Sequence, residues 1–215
     1  MPTALVVMAR YPEIGRVKTR LARAIGDDRA HALYRAFLRD IEARFAGQRR
    51  TLVWAFHPPQ SDFAAVVGRG RCLPQVGGDL GERLHNCFRS LCREGFDCAL
   101  IIGGDAPHVR EAWLDEAEHA LARAEVVLGP SADGGYYLIG MRQPHDLFSG
   151  IEMSTPRVLA ETLAKAQTAG LRVHLLPESF DVDEESDVAR LRALLVHDGS
   201  QLPCTAALLR GWEQP

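Results

Sequence analysis

The stretch Cys98-Ala-Leu-Ile-Ile-Gly103-Gly104-Asp105-Ala106-Pro107 decides how the chain is read. An apolar run of strand length ends in two glycines and then a carboxylate. A run with no polar alternation suits a strand covered by helices on both faces. The glycines leave little bulk beside Asp105, which a strand here would present at its C-terminal edge. A hard cation carrying phosphates wants such an oxygen ligand. Asp105 could equally cap a helix whose start Pro107 marks.

Runs of the same kind lie on either side, at Thr3–Ala9, Thr51–Phe56, Glu125–Gly129, Tyr136–Met141 and Leu171–Leu176. Helical patterns separate them. Leu33, Phe37, Ile41 and Phe45 recur every fourth residue, and Leu80, Leu84, Cys87, Phe88 and Leu91 form a second apolar face that Gly95 would end. Ser154-Thr155-Pro156 predicts a capped start with proline at the first helical position, and Gly170 predicts that helix's end. A last helix is expected from near Asp183, carrying Val188, Leu191 and Leu195. Strand–helix alternation of this kind predicts a single α/β domain over residues 1–215, with one mainly parallel sheet and helices on both faces. Ligands of such sheets sit at the C-terminal ends of the strands.

Composition narrows the classes. Hydrophobic residues make up 47% and charged residues 25%, as in an ordinary globular chain. The net charge of −3 argues against a nucleic-acid grip. The apolar run Ala4–Ala9 is too short to span a membrane or to form a signal-peptide core. Five cysteines without C-x-x-C spacing suit small apolar residues in a reducing compartment, so a cytoplasmic protein is expected.

Five loops hold the candidate chemistry. The first, Arg10-Tyr-Pro-Glu-Ile-Gly15-Arg16-Val-Lys18-Thr-Arg20, is strongly basic, and Gly15 lets the backbone approach a ligand closely. It suits a diphosphate, or else is a solvated basic loop. Neither a Walker A spacing nor G-x-G-x-x-G occurs. The second is the Asp105 segment. The third, Gly129-Pro-Ser-Ala-Asp133-Gly134-Gly135-Tyr136-Tyr137, is either a turn between strands or a contact for a polar substrate. Asp133 stands where G-x-S-x-G needs its last glycine, so Ser131 is not a nucleophile elbow. Only one of Tyr136 and Tyr137 can face a ligand from a strand. The fourth holds Asp181 and Asp183 in alternation, either joining Asp105 in an acidic metal cage or stabilising the start of the last helix. The fifth, Gln75-Val-Gly-Gly-Asp79-Leu-Gly81-Glu-Arg83, could pass under a flat base, although Asp79 reads better as a helix cap. Among eight scattered histidines, only His108 lies beside a candidate loop.

Taken in order, M-A-R-Y-P-E-I-G-R-V-K-T-R-L-A, G-G-D-L-G-E-R-L, I-I-G-G-D-A-P, L-G-P-S-A-D-G-G-Y-Y-L-I-G, S-T-P-R-V-L and D-V-D-E-E-S-D-V resemble one family over about residues 4–195. It is a glycosyltransferase-A-superfamily family of formerly unknown function, with members named as arsenosugar-biosynthesis glycosyltransferases. It is more distantly similar to the guanylyltransferases of molybdenum cofactor and phospholactate metabolism. The resemblance implies a Rossmann-like nucleotide-diphospho-sugar transferase (GT-A) fold and a metal-dependent transferase using Mg²⁺ or Mn²⁺. The donor would be a nucleotide sugar or another nucleotide, and the acceptor a small molecule. It implies Asp105 with Asp181 or Asp183 as metal ligands, and Gly15, Arg16, Lys18 and Arg20 as the phosphate-facing segment. Gln75, Asp79 and Gly81 would lie near base and ribose. Asp133, Gly134, Gly135 and Tyr136 would lie on the sugar or acceptor side, and in glycosyl transfer a carboxylate such as Asp133 could serve as the base. Two departures stand out: Gly104 replaces the usual serine or threonine, and Glu184-Glu185 replace Thr-Pro after the late D-x-D. Glycosyl transfer is the leading expectation. Nucleotidyl transfer with pyrophosphate release and a non-catalytic nucleotide-binding protein are the alternatives.

Overall fold

A computed structural model describes residues 2–212. Its centre is one seven-stranded sheet. In chain order the strands are β1 (Thr3–Arg10), β2 (Thr51–His57), β3 (Arg71–Pro74), β4 (Cys98–Gly103), β5 (Val126–Pro130), β6 (Tyr136–Met141) and β7 (Val173–Leu175). Their spatial order is β3-β2-β1-β4-β6-β5-β7. All pairings are parallel except those of β6, which runs antiparallel to both β4 and β5.

The helices are α1 (Thr19–Ile25), α2 (Asp27–Phe45), α3 (Leu80–Arg93), α4 (Glu111–Ala120), α5 (Val158–Thr168), α6 (Glu185–Asp198) and α7 (Pro203–Gly211). They form two layers because successive strand side chains point to opposite faces. Leu5, Val7 and Ala9 of β1 join a core with α2 residues Leu33, Phe37 and Ile41. Ala4 and Val6 join the opposite core with Leu84, Phe88 and Leu91 of α3. Both cores are built from aliphatic and aromatic side chains, and burying each large one contributes about 1.5–3 kcal/mol.

Polar pins close the outer layer. Asp40, fully buried, accepts from the amides of Cys204 and Thr205 at 2.9 and 2.8 Å and so caps the start of α7. Arg50, 3% exposed, ties the segment before β2 to Asp115 and Glu118 of α4. All five cysteines are free thiols. No helix among the described residues is long and apolar enough to cross a membrane.

Two local expectations need correction. Pro156 does not open α5: the helix begins at Val158, its N-cap is Arg157, and Thr155 Oγ1 instead donates to the Glu152 carbonyl. Ser154 adopts φ 67°, a left-handed conformation that turns the chain before the helix. The helix expected from near Asp183 is α6, which begins at Glu185 with a capping box between Glu184 and Asp187, and it is not the last, because α7 follows it. Asp183 is thereby left outside the helix, its own amide donating to Asp187 Oδ2 at 3.0 Å.

Candidate functional site

A cleft of about 630 Å³ opens at the C-terminal edge of β1, β2 and β4. The end of β1, the loop after it and the start of α1 supply Arg10, Arg16, Lys18 and Arg20 to its lining. The loop after β4 supplies Asp105, the loop between β5 and β6 supplies Asp133, and the segment before α6 supplies Asp181 and Asp183. Gln75, His57 and Arg83 close the far side. Carboxylates from three separate loops therefore meet a basic loop across one cavity.

The main chain sets the acidic side. Gly104 N donates to the Met8 carbonyl at 3.0 Å, carrying the β4 register into the loop. A Cβ at Gly104 would stand 3.3 Å from both that carbonyl and the Tyr34 hydroxyl, so glycine lets the Asp105 turn lie against β1. Arg10 N donates to Tyr34 Oη at 2.9 Å, and Tyr34 Oη donates back to the Arg10 carbonyl at 3.2 Å. Burial pushes that phenol up to about 12, so it remains a donor at neutral pH.

Lys18 does not project freely into the cleft. Its ammonium lies between two carboxylates, 2.7 Å from Asp183 Oδ1 and 3.2 Å from Asp105 Oδ2. The lysine side chain is 5% exposed, whereas those of Asp105 and Asp183 are 34% and 38% exposed. Burial works against the charge, but the two carboxylates outweigh it and hold the lysine above its ordinary value. Asp181 lies deeper. Its Oδ2 accepts from Ser131 Oγ at 3.2 Å, while its Oδ1 is buried without a partner. Burial and the charges of Asp105, Asp133 and Asp183, partly countered by Lys18, push the Asp181 carboxyl up to about 8.

This geometry can be set against a divalent cation. The donors are hard carboxylate oxygens, one of them a buried orphan, and an ammonium already stands between two of the acids. The acids fit a cation. Among the described residues, however, no three His, Cys, Asp or Glu side chains are grouped to hold a metal ion as they stand.

The remaining candidates fall into two sets. Arg16, Arg20, Gln75, Asp133 and Tyr136 line the cleft. Gln75 is 8% exposed, and its Nε2 donates to the Ala55 carbonyl at 2.6 Å. Asp133 Oδ1 accepts from Gly135 N at 2.9 Å, which fixes the carboxylate's orientation. Gly15, Asp79, Gly81, Gly134 and Gly135 are not among the cleft's lining residues. Asp79 caps α3 by accepting from Glu82 N at 2.8 Å, and Gly81 packs against Phe148. Both tyrosines line the cleft, although only one was expected to face it, and their hydroxyls differ. Tyr137 Oη donates to the Pro177 carbonyl at 3.1 Å, and Tyr136 Oη is buried without a partner.

Sequence reasoning passed over Tyr34, His57 and Ser131's bond to Asp181. His57 ends β2 at the same edge as the other cleft residues, so its position carried a signal. Tyr34 sits on the buried side of α2 and carried none. Arg83 holds the fifth loop by donating to the Gly77 carbonyl at 3.0 Å.

The sheet order and the cleft at its carboxyl edge define a Rossmann-like nucleotide-diphospho-sugar transferase fold. Residues 38–155, more than half of the chain, match the family described as an uncharacterized protein conserved in bacteria (DUF2064), and the protein belongs to that family. It is similar over 98% of its length to a Desulfovibrio desulfuricans G20 protein provisionally named a nucleotide-diphospho-sugar transferase. That match covers 95% of the other chain, with 33% identity and a TM-score of 0.91. A cytidylyltransferase from Leptospira borgpetersenii serovar Hardjo-bovis shares the fold at 15% identity and a TM-score of 0.60, over 99% of this chain and 94% of that one. CMP:2-keto-3-deoxy-manno-octonic acid synthetase, solved with CTP, shares it at 15% identity and 0.55, over 92% and 100%. No curated protein matches the chain.

Proposed function

We propose that the protein is a transferase that uses a nucleotide-activated donor, with a nucleotide sugar as donor and a hydroxyl of a small molecule as acceptor. The carrying observation is the cleft itself, where Arg16 and Arg20 face Asp105, Asp181 and Asp183 at the carboxyl edge of the sheet. Guanidinium groups are matched to phosphate oxygens. The provisional name of the Desulfovibrio relative and the motif likeness to arsenosugar-type glycosyltransferases support a sugar as the transferred group.

In this reading Arg16 and Arg20 bind the diphosphate. Asp105, with Asp181 or Asp183, would hold Mg²⁺ or Mn²⁺. When bound, the cation supplies neutralisation of charge on the leaving diphosphate. Asp133, oriented by Gly135 N, receives the proton of the acceptor hydroxyl. That oxygen forms a bond to the anomeric carbon, the bond from that carbon to the β-phosphate oxygen breaks, and a nucleoside diphosphate leaves.

Calorimetric titration of a panel of nucleotide sugars, with and without Mn²⁺, tests the reading. At least one should bind, and Mn²⁺ should tighten it. Failure of every nucleotide and nucleotide sugar to bind contradicts the proposal.

A further inference from the structure

The acids would hold a cation and the basic loop would hold a diphosphate. Lys18 belongs to both. It comes from the basic loop, it lines the cleft with Arg16 and Arg20, and its ammonium is bound by Asp105 and Asp183. We propose that Lys18 is a resident counter-ion of the Asp105–Asp183 pair that transfers to the donor's diphosphate when a divalent cation takes its place, so that metal and donor bind cooperatively. The proposal rests on that donor and metal reading.

Three observations carry it. First, Lys18 is the N-cap of α1 in the left-handed region, at φ 50° and ψ 42°, which residues other than glycine rarely adopt. That turn directs the side chain to residues 105 and 183. Second, the burial is asymmetric. The ammonium lies behind the acids, whose own side chains keep about a third of their surface open. A cation in the cleft can therefore reach the acids, but it meets the ammonium as a like charge on the same oxygens. Third, the acids outnumber the lysine. Asp181 keeps a buried oxygen without a partner in the same cleft as a pair that already shares one ammonium. The cluster has room for more positive charge than one lysine supplies.

Neither ligand alone meets a prepared site. Metal alone must compete with Lys18, and a diphosphate alone must draw Lys18 from two carboxylates. With both present, the metal takes the acids and the ammonium takes the phosphate. By reciprocity each ligand then raises the other's affinity by the same factor. A purely structural lysine, pinning residue 18 to residue 183, would behave differently: its loss would weaken both ligands.

The test measures Mn²⁺ binding to the full chain by electron paramagnetic resonance of free Mn²⁺, for wild type, Lys18→Gln and Asp105→Asn. Without nucleotide, Lys18→Gln should bind Mn²⁺ about tenfold more tightly than wild type. In wild type, Mn²⁺ should tighten binding of at least one of the four ribonucleoside diphosphates by more than tenfold, and this coupling should fall by about tenfold in Lys18→Gln, leaving only the direct attraction between cation and diphosphate. Mn²⁺ affinity in Lys18→Gln equal to or below that of wild type, with binding lost in Asp105→Asn, overturns the exchange and leaves the metal site standing. Absence of Mn²⁺ binding in all forms overturns both the exchange and the metal part of the function, while nucleotide binding would still support the donor part. Should Lys18→Gln not fold, the wild-type coupling decides: metal and diphosphate that bind independently overturn the proposal.

Discussion

The amide of Val182 donates to the main-chain carbonyl of Asp105 at 3.0 Å. One backbone bond therefore joins the loop after β4 to the segment that carries Asp181 and Asp183. The main chain thus brings the acids together, and Lys18 then bridges the side chains of Asp105 and Asp183. Asp105→Asn keeps that carbonyl and the side chain's volume. The variant should melt as a folded protein, yet lose the Mn²⁺ dependence of nucleotide binding. Isothermal titration with and without Mn²⁺ checks this, and unchanged Mn²⁺ dependence would leave Asp105 with a structural role only.

Arg20 lines the cleft from the first turn of α1. Removing a charge-assisted contact with phosphate costs about 1.5–3 kcal/mol, or roughly tenfold or more in affinity. Arg20→Ala should therefore weaken nucleoside diphosphate binding by that factor and leave the corresponding nucleoside unaffected. Equal losses for the two ligands would show that Arg20 supports the loop and not the phosphate.

His108 lies against the Phe180 ring at a centroid distance of 4.2 Å, with Nε2 3.2 Å from Ser179 Oγ. Burial, aided by Arg44, Arg190 and Arg110, lowers its pKa to about 4. Between that value and the unfolded value of about 6.5, the unfolded chain binds more protons than the folded one. Stability should thus rise with pH across this window and reach its plateau near neutrality. His108→Phe keeps a ring against Phe180 and removes the titration. The stability difference between wild type and variant should then change by roughly 3 kcal/mol between pH 7 and pH 4. Urea unfolding at a series of pH values measures it, and parallel curves would refute the assignment.

Gly134 has φ 87°, and a Cβ there would run into the Pro156 carbonyl. Its own carbonyl accepts from Leu159 N at 2.9 Å, so the turn cannot shift without disturbing the start of α5. Gly134→Ala should cost about 1–3 kcal/mol. A denaturation midpoint equal to that of wild type would contradict this account of the turn.

The continuous apolar runs identified their strands because a strand covered on both faces has no polar face to confuse the pattern. Cys98–Gly103 and Tyr136–Met141 coincide with β4 and β6. Arg71–Pro74 was not foreseen as β3, since a short edge strand tolerates the arginine and proline that mask it. Helix α1 was hidden in the basic loop, and α4 has only Leu114 and Ala117 buried, too few for a periodic signal. At the site, the rule that ligands gather at strand C-termini found the right loops. It could not find the partners of Lys18, because Asp183 lies 165 residues away in sequence. Residue type suggested phosphate for that lysine, and only the folded chain brings the two carboxylates to it. Asp79 and Gln75 show the opposite case, where side chains that could reach a base hold local main chain instead.

The most direct test of the central claim follows the bond that breaks. The purified protein is incubated with Mn²⁺ and each of a set of nucleotide sugars, and separately with each nucleoside triphosphate and candidate acceptors. Products are resolved by anion-exchange chromatography and pyrophosphate is assayed. The expected result is slow, Mn²⁺-dependent release of nucleoside diphosphate from at least one nucleotide sugar, with water accepting the sugar, and its loss in Asp105→Asn. Pyrophosphate released from a triphosphate in an Asp105-dependent manner, with every nucleotide sugar left intact, would contradict glycosyl transfer and assign the cleft to nucleotidyl transfer.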